Sequence, residues 1–226
     1  MPKIEPSPPT PAVLNSDQIV AMTLEAATLA KRALRAGSMA PAFRLRDYIG
    51  QHISLQELIS TGPAIVHFYR GSWCTYCQNS LADLTVTHDN IRTTGARVVA
   101  IAPPSSPRFL AAAQAEAAHL PFPTLIDSGM KVAVAYGVAY SLPAQLRPVY
   151  LERGYAPPRH PRTREWLVPI PATYLIGIDG TIVLGAVDVD YRNPLHSEQL
   201  VTAVKSMRRA NARRSGTFKA NTRSGH

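Results

Sequence analysis

An α/β layered domain is the fold class that this 226-residue sequence predicts, on three observations. Strand-like and helix-like segments alternate from Pro41 onward. The apolar stretch Ala64–Tyr69 runs directly into a helical pattern that carries both cysteines of the chain. The last two strand signals meet across Asp179-Gly180, a dipeptide suited to a tight hairpin turn. Hydrophobic residues make up 46% of the chain and charged residues 17%, enough apolar material for a sizeable core.

Each element has its own local signal. Met1–Val13 is Pro-rich and reads as an extended lead. Ile19, Met22, Ala26 and Leu29 recur at helical spacing, Ser16 can cap the start and Gly37 can end it, so a helix is expected over 17–36. Its apolar stripe fits either its own domain or a second copy in a homodimer. Ser54-Leu55-Gln56-Glu57 is a capping box that starts a short helix. A strand over 64–69, a helix from Cys74 to Arg92, a strand over 97–102 and an Ala-rich helix over 107–119 follow. Next come a brief strand at 123–126 and a brief helix at 130–136, ending at Gly137. Residues 143–171 hold seven prolines and many arginines and read as an ordered insertion without regular elements. After the hairpin over 172–178 and 181–189, Asn193 caps and Pro194 opens a last helix reaching about Arg209. The chain thus divides into a Pro-rich lead and N-terminal helix (1–36), a central domain (37–205) and a basic flexible tail (206–226).

Composition removes several function classes. There are 24 Lys+Arg against 15 Asp+Glu, a net charge of +9. Seven of those cations lie between Gln199 and the C-terminus, where no acidic residue occurs, so residues 1–198 carry only +2. The charge therefore belongs to the tail. That tail lacks the basic-aromatic interleaving of a nucleic-acid binder, and no nucleic-acid partner is expected. No apolar run of about 18 residues exists, so no membrane-spanning helix is expected. Neither is a secretory leader, and two cysteines suit a reducing, cytoplasmic setting.

Both cysteines sit in Cys74-Thr75-Tyr76-Cys77, where a buried strand hands over to a helix. Exposed N–H groups and the helix dipole at a first turn favour an anion, which lowers a thiol pKa. At i, i+3 the second sulfur reaches the first across one turn, so attack by one cysteine can be resolved by the other. A C-x-x-C within a β-α-β pattern reads as a redox motif. A structural zinc site needs two more ligands, and neither His67 nor His88 has ligand-like spacing. No cofactor or metal is expected, because sulfur carries the electrons.

The segment Phe68-Tyr69-Arg70-Gly71-Ser72-Trp73-Cys74-Thr75-Tyr76-Cys77 resembles the active-site stretch of peroxiredoxin-like proteins of the alkyl hydroperoxide reductase/thiol-specific antioxidant group. Gly37-Ser38-Met39-Ala40-Pro41-Ala42-Phe43-Arg44-Leu45 resembles that group's entry segment. Pro169–Ile176 resembles its approach to the strand opposite the active site, and Asp188–Tyr191 the end of the next strand. The resemblance covers roughly 37–205. It implies a thioredoxin-like fold, a central mixed sheet flanked by helices, with the N-terminal helix and basic tail added. It also implies a small hydroperoxide or disulfide as substrate and a thioredoxin-like or other dithiol electron donor.

Typical peroxiredoxins carry T-x-x-C at this place. Counted from Phe68-Tyr69, Cys77 falls at the peroxidatic cysteine; counted from Trp73, Cys74 falls at the thioredoxin nucleophile. Pro171 stands where an arginine is expected before Thr173-Tyr174, and Ile170-Pro171 is expected to be a cis bond. Cys74 and Cys77 are the candidate catalytic residues, with Cys74 attacking first. Arg70 is a nearby cation that favours thiolate, or else a solvated strand-end arginine. Trp73, Thr75 and Tyr76 line the site. His67 is a base for the dithiol or a satisfied core histidine. Asp188 and Asp190 alternate on a strand and, lacking a third ligand, read as a solvated face.

Overall fold

The computed structural model describes Thr28 and residues 31–152, 154–160, 162–187 and 196–221, with residues 211–221 as backbone. Nine strands and six α-helices occur among them: β1 (Arg44–Asp47), β2 (His52–Ser54), α1 (Leu55–Ile59), β3 (Ala64–Phe68), α2 (Thr75–Thr93), β4 (Arg97–Ala102), α3 (Leu110–His119), β5 (Thr124–Ile126), α4 (Lys131–Ala135), β6 (Ala139–Ser141), α5 (Arg147–Glu152), β7 (Leu167–Pro169), β8 (Ala172–Ile176), β9 (Ile182–Val187) and α6 (Ser197–Asn221). Seven strands form one mixed sheet in the order β2-β1-β5-β4-β3-β8-β9, and β6 pairs with β7 separately. β3 lies parallel to β4 and antiparallel to β8; β4 is parallel to β5, and the remaining pairs are antiparallel. This is the expected α/β fold with a mixed sheet.

Every residue of β3 is buried, because both faces of that strand are covered. Ala64, Val66 and Phe68 enter a core shared with Val99, Leu125, Tyr136, Tyr174 and Ile182. Ile65 and Tyr69 face a second core with Cys74, Cys77, Leu81, Leu84, Ile91, Leu200 and Val204, which α2 and α6 cover. Strand alternation therefore puts His67 on the cysteine side of the sheet.

Local signals translate directly where their partners are close in sequence. Ser54 Oγ accepts from Glu57 N–H at 3.2 Å while Glu57 Oε2 accepts from Ser54 N–H at 2.8 Å, the predicted capping box. At the β8–β9 turn, Gly180 has φ +80°, and Asp179 Oδ1 accepts from Thr181 N–H at 3.0 Å. The Gly180 conformation is one that a side chain disfavours.

Four expectations change. Of the helix expected over 17–36, Thr28 is helical and residues 31–33 and 36–38 form turns; most of the rest lies outside the described residues. Backbone bonds from Leu34 N–H to Tyr136 O (3.1 Å) and Gly37 N–H to Ile182 O (2.8 Å) tie residues 34–37 to the domain. The insertion is more regular than expected, holding α5, a 3₁₀ turn at Ala144–Leu146 and the β6–β7 pair. The described peptide bonds are all trans, including Ile170-Pro171. Ile170 N–H donates to Val138 O at 2.7 Å, and the chain runs extended from β7 into β8, a path that a trans bond fits. Last, α6 begins at Ser197 and its backbone continues to Asn221, past the 205/206 boundary. Residues 206–214 are mostly Arg, Ala and Met, all good helix formers.

The start of α6 is fixed from α2. Asp83 Oδ2 accepts from Ser197 N–H at 2.8 Å, Ser197 Oγ donates to Asp83 O at 3.2 Å, and Ser197 Oγ also pairs with Thr87 Oγ1. At the far end Arg208 Nη1 donates to Thr94 O, a cation on the C-terminus of α2. Asp83→Ala should cost about 1–2 kcal/mol, the usual value of a lost N-cap. A lower urea midpoint at unchanged m value checks this.

Candidate active site

The first turn of α2 holds the cysteines because β3 ends beneath it. Tyr69 N–H donates to Ile101 O at 3.0 Å, so the chain stays on the sheet until Arg70. Gly71, at φ +114°, then reverses the direction and Cys74 N–H donates back to Gly71 O at 3.1 Å. Cys74 is the N-cap of α2, and its carbonyl accepts from Cys77 N–H (3.0 Å) and Gln78 N–H (3.2 Å). The two cysteines are joined as a disulfide with Cα atoms 5.3 Å apart. Cys74 is 5% exposed and Cys77 2%.

The predicted companions separate into three groups. Arg70 is not a freely solvated strand-end residue: it is half-buried, and its Nε donates to Pro169 O at 3.3 Å. That carbonyl lies two residues before Pro171, so Arg70, just past the end of β3, reaches the segment that leads to Pro171. Trp73 Nε1–H donates to Arg70 O at 2.8 Å, and its ring stacks on Tyr155 (4.6 Å between centroids) and meets Tyr150 edge-on (5.3 Å). Trp73 thus packs against the cluster that holds the cysteines, and the insertion supplies its aromatic partners. Burial pushes the Tyr150 and Tyr155 phenols well up; Arg70 partly opposes this in both. Thr75 and Tyr76 instead face outward, Tyr76 54% exposed. Pro171 sits one step beyond Ala172, which pairs with Phe68, and so lies at the sheet end where α2 starts.

His67 is buried, with Nδ1 2.9 Å from Thr173 Oγ1, its direct cross-strand neighbour. Its Nε2 has no hydrogen-bond partner among the described residues. Burial lowers its pKa to about 4, so the ring is neutral at pH 7. Ser72 Oγ and Gln78 Nε2, on either side of the cysteines in sequence, are also buried without partners among the described residues. Sequence reading missed these two, and it missed Tyr150, Tyr155 and Thr173. The aromatics in an otherwise Pro/Arg-rich insertion were the available signal; Thr173 needed the β3–β8 register. No metal-binding group of three or more His, Cys, Asp or Glu occurs among the described residues. Asp188 and Asp190 lie outside them.

The described geometry matches known proteins in a consistent way. A family model described as "AhpC/TSA family" matches residues 36–184. The chain belongs to the AhpC/TSA family. "Peroxiredoxin Q, chloroplastic" of Suaeda salsa is 31% identical over 106 residues, covering 47% of this chain and 48% of the relative. "Thiol-disulfide oxidoreductase ResA" of Halalkalibacterium halodurans is 30% identical over 104 residues, covering 46% of this chain and 57% of the relative. The chain spans about half the length of the curated relatives it matches. Among solved structures, peroxidoxin BcpB from Mycobacterium tuberculosis superposes with a TM-score of 0.58 at 19% identity, covering 76% of this chain and 97% of that one. Peroxiredoxin Q of Xanthomonas campestris gives 0.56 at 16% identity, covering 76% and 98%. These two establish the fold: a peroxiredoxin-like, thioredoxin-type domain.

The neutral buried His67 makes stability pH-dependent. In the unfolded chain it titrates near 6.5, in the folded chain near 4. Below 6.5 the unfolded state binds a proton that the folded state does not, so stability falls as pH falls toward 4. From pH 7 to pH 5 this amounts to about 2 kcal/mol. Urea titrations at the two pH values should show that loss, and His67→Gln should remove most of it.

Proposed function

We propose that the chain is a thiol-dependent oxidoreductase that reduces small hydroperoxides through Cys74 and Cys77, using a thioredoxin-like or other dithiol as electron donor. The observation that supports this most directly is the Cys74–Cys77 disulfide at the first turn of α2, in a chain of the AhpC/TSA family. The likeness to relatives named peroxiredoxin Q favours peroxide as the oxidant. A reducing compartment, assigned here to the cytoplasm, keeps the donor dithiol available.

The reaction balances with these groups alone. The Cys74 thiolate attacks one oxygen of the hydroperoxide; an S–O bond forms, the O–O bond breaks, and the alkoxide leaves and takes a proton. Cys77 then attacks the Cys74 sulfur, the S–S bond forms, and the sulfenic oxygen departs as water. A dithiol donor supplies two electrons, becomes a disulfide, and restores both thiols. Cys74 is assigned as the first nucleophile because it occupies the N-cap and is, as a residue, slightly the more exposed of the two. Arg70 favours the thiolate, and Ser72 and Gln78, which flank the cysteines in sequence, carry buried hydrogen-bonding groups unspent among the described residues.

Reduction of protein disulfides is the second reading. The likeness to a relative named thiol-disulfide oxidoreductase favours it, as does Pro171 standing where an arginine is expected.

Stopped-flow mixing of reduced protein with hydrogen peroxide separates the two readings. Peroxide should oxidise Cys77→Ser, which retains Cys74, far faster than it oxidises a free thiol, whereas Cys74→Ser should react no faster than one. Arg70→Gln should slow the first step by about tenfold, equivalent to about 1.4 kcal/mol. If wild type reduces insulin disulfides while peroxide reacts with neither cysteine variant beyond the free-thiol rate, the second reading replaces the first.

A further inference from the structure

The insertion carries a charged surface that the chemistry at the cysteines does not use. Between Pro143 and Pro171 there are five arginines and two glutamates. Glu165 is exposed, but its carboxylate is engaged within the insertion: Ser141 Oγ donates to its Oε2 at 2.8 Å and Thr163 Oγ1 at 3.0 Å, which lowers its pKa. The turn that follows Arg159 is rigidly built. His160 N–H donates to Glu165 O at 2.7 Å, Arg164 N–H donates to His160 O at 3.0 Å, and Arg164 holds φ +61°. His160 Nδ1 accepts from the N–H groups of Arg162 (3.3 Å) and Thr163 (3.1 Å). Those two bonds place the ring proton on Nε2. Arg159, Arg162 and Arg164 are all exposed, and none forms an ion pair with a carboxylate among the described residues.

Next to this turn lies a cleft of about 150 Å³ lined by Gly129, Lys131, Val134, His160 and Arg162. Its polar side chains offer an ammonium, a guanidinium and an imidazole N–H, all donors, with no side-chain acceptor among them. Val134 is 46% exposed at its edge. A carboxylate on a short apolar stem fits such a cleft, and Arg159 and Arg164 extend the positive surface beyond the reach of a single small ion.

The surface lies within range of the disulfide. Arg164 is five residues from Pro169, roughly 17 Å along an extended chain, and Pro169 O receives the Arg70 hydrogen bond beside the C-x-x-C. A protein partner buries about 800 Å² per side, a patch roughly 30 Å across. One that brings a dithiol to Cys74–Cys77 can extend toward the turn as well.

We infer that the Arg159–Arg164 turn and the adjoining Lys131 cleft form the docking surface for an acidic face of the dithiol donor protein, with an aspartate or glutamate of the donor seated in the cleft. This rests on the redox reading above and adds the route by which electrons arrive. Charge complementarity sets the on-rate, and salt screens it.

The test follows reduction of the oxidised full-length chain by an acidic thioredoxin and, separately, by dithiothreitol. With thioredoxin, the wild-type second-order rate constant should fall by about tenfold between about 20 mM and about 300 mM salt. Arg162→Glu/Arg164→Glu should show a similar loss at low salt, and Arg162→Gln/Arg164→Gln a part of it. With dithiothreitol, all three proteins should agree within about twofold, which also reports intact folding. Equal thioredoxin rates in wild type and the Glu variant would overturn the docking surface while leaving the redox reading intact. So would a wild type that dithiothreitol reduces and thioredoxin does not, or inhibition by inorganic phosphate at constant ionic strength without a salt slope. Failure of both reductants on the wild type would overturn the redox reading and the docking surface together.

Discussion

The pairing of β3 with β4 on one side and β8 on the other is the constraint on which the rest of the molecule depends. Both neighbours hold β3 over its whole length, and both of its faces are covered, so its end point is fixed in space. Gly71 turns the chain there and α2 must begin at that point. The dithiol is consequently anchored by the most buried strand of the sheet, through a loop of a few residues, and inherits that strand's rigidity.

A second wall is needed because a strand end and a helix start leave the other side of the cysteines open. The insertion provides it, with Tyr150 and Tyr155 against Trp73. Each aromatic contact of this kind adds about 0.5–1.5 kcal/mol beyond simple burial. The insertion is held from several directions at once. Ser106 Oγ donates to Gly154 O at 2.9 Å, Ser141 holds Glu165, and Ile170 N–H binds Val138 O. Gly154 holds φ +76°, a conformation a side chain disfavours, and a Cβ there would also displace the Arg108 side chain.

What could be read from the sequence is what depends on neighbours a few residues away. The Ser54–Glu57 box, the Asp179-Gly180 turn, the β3–α2 handover and the place of both cysteines are all of this kind. What could not be read depends on partners distant in the chain. β6 and β7 are three residues each, too short to show a period, and pair across 25 intervening residues. α6 starts where Asp83, more than a hundred residues earlier, supplies its cap. The bond at Pro171 is trans, and the residue before it is held by Val138, a partner more than thirty residues away that no pattern around the proline displays. His67 shows the same limit: the sequence leaves base and core histidine both open, and only the register that pairs it with Thr173 puts it on the face of the sheet that carries the cysteines.

That register decides how charge is managed at the site. With its pKa near 4, His67 is neutral at pH 7 and cannot be the cation that favours a thiolate. Under the proposed chemistry that part falls to Arg70 and to the N-terminus of α2. A neutral imidazole fixed by Thr173 at Nδ1 still has Nε2, buried and unspent among the described residues, on the face of the sheet that carries the dithiol. A protonated imidazole there would place an uncompensated charge in the core, at a cost of several kcal/mol. In the proposed reaction two tasks that one residue often combines are thus separate: Arg70 supplies a permanent cation, while the neutral His67 ring offers hydrogen bonding without charge.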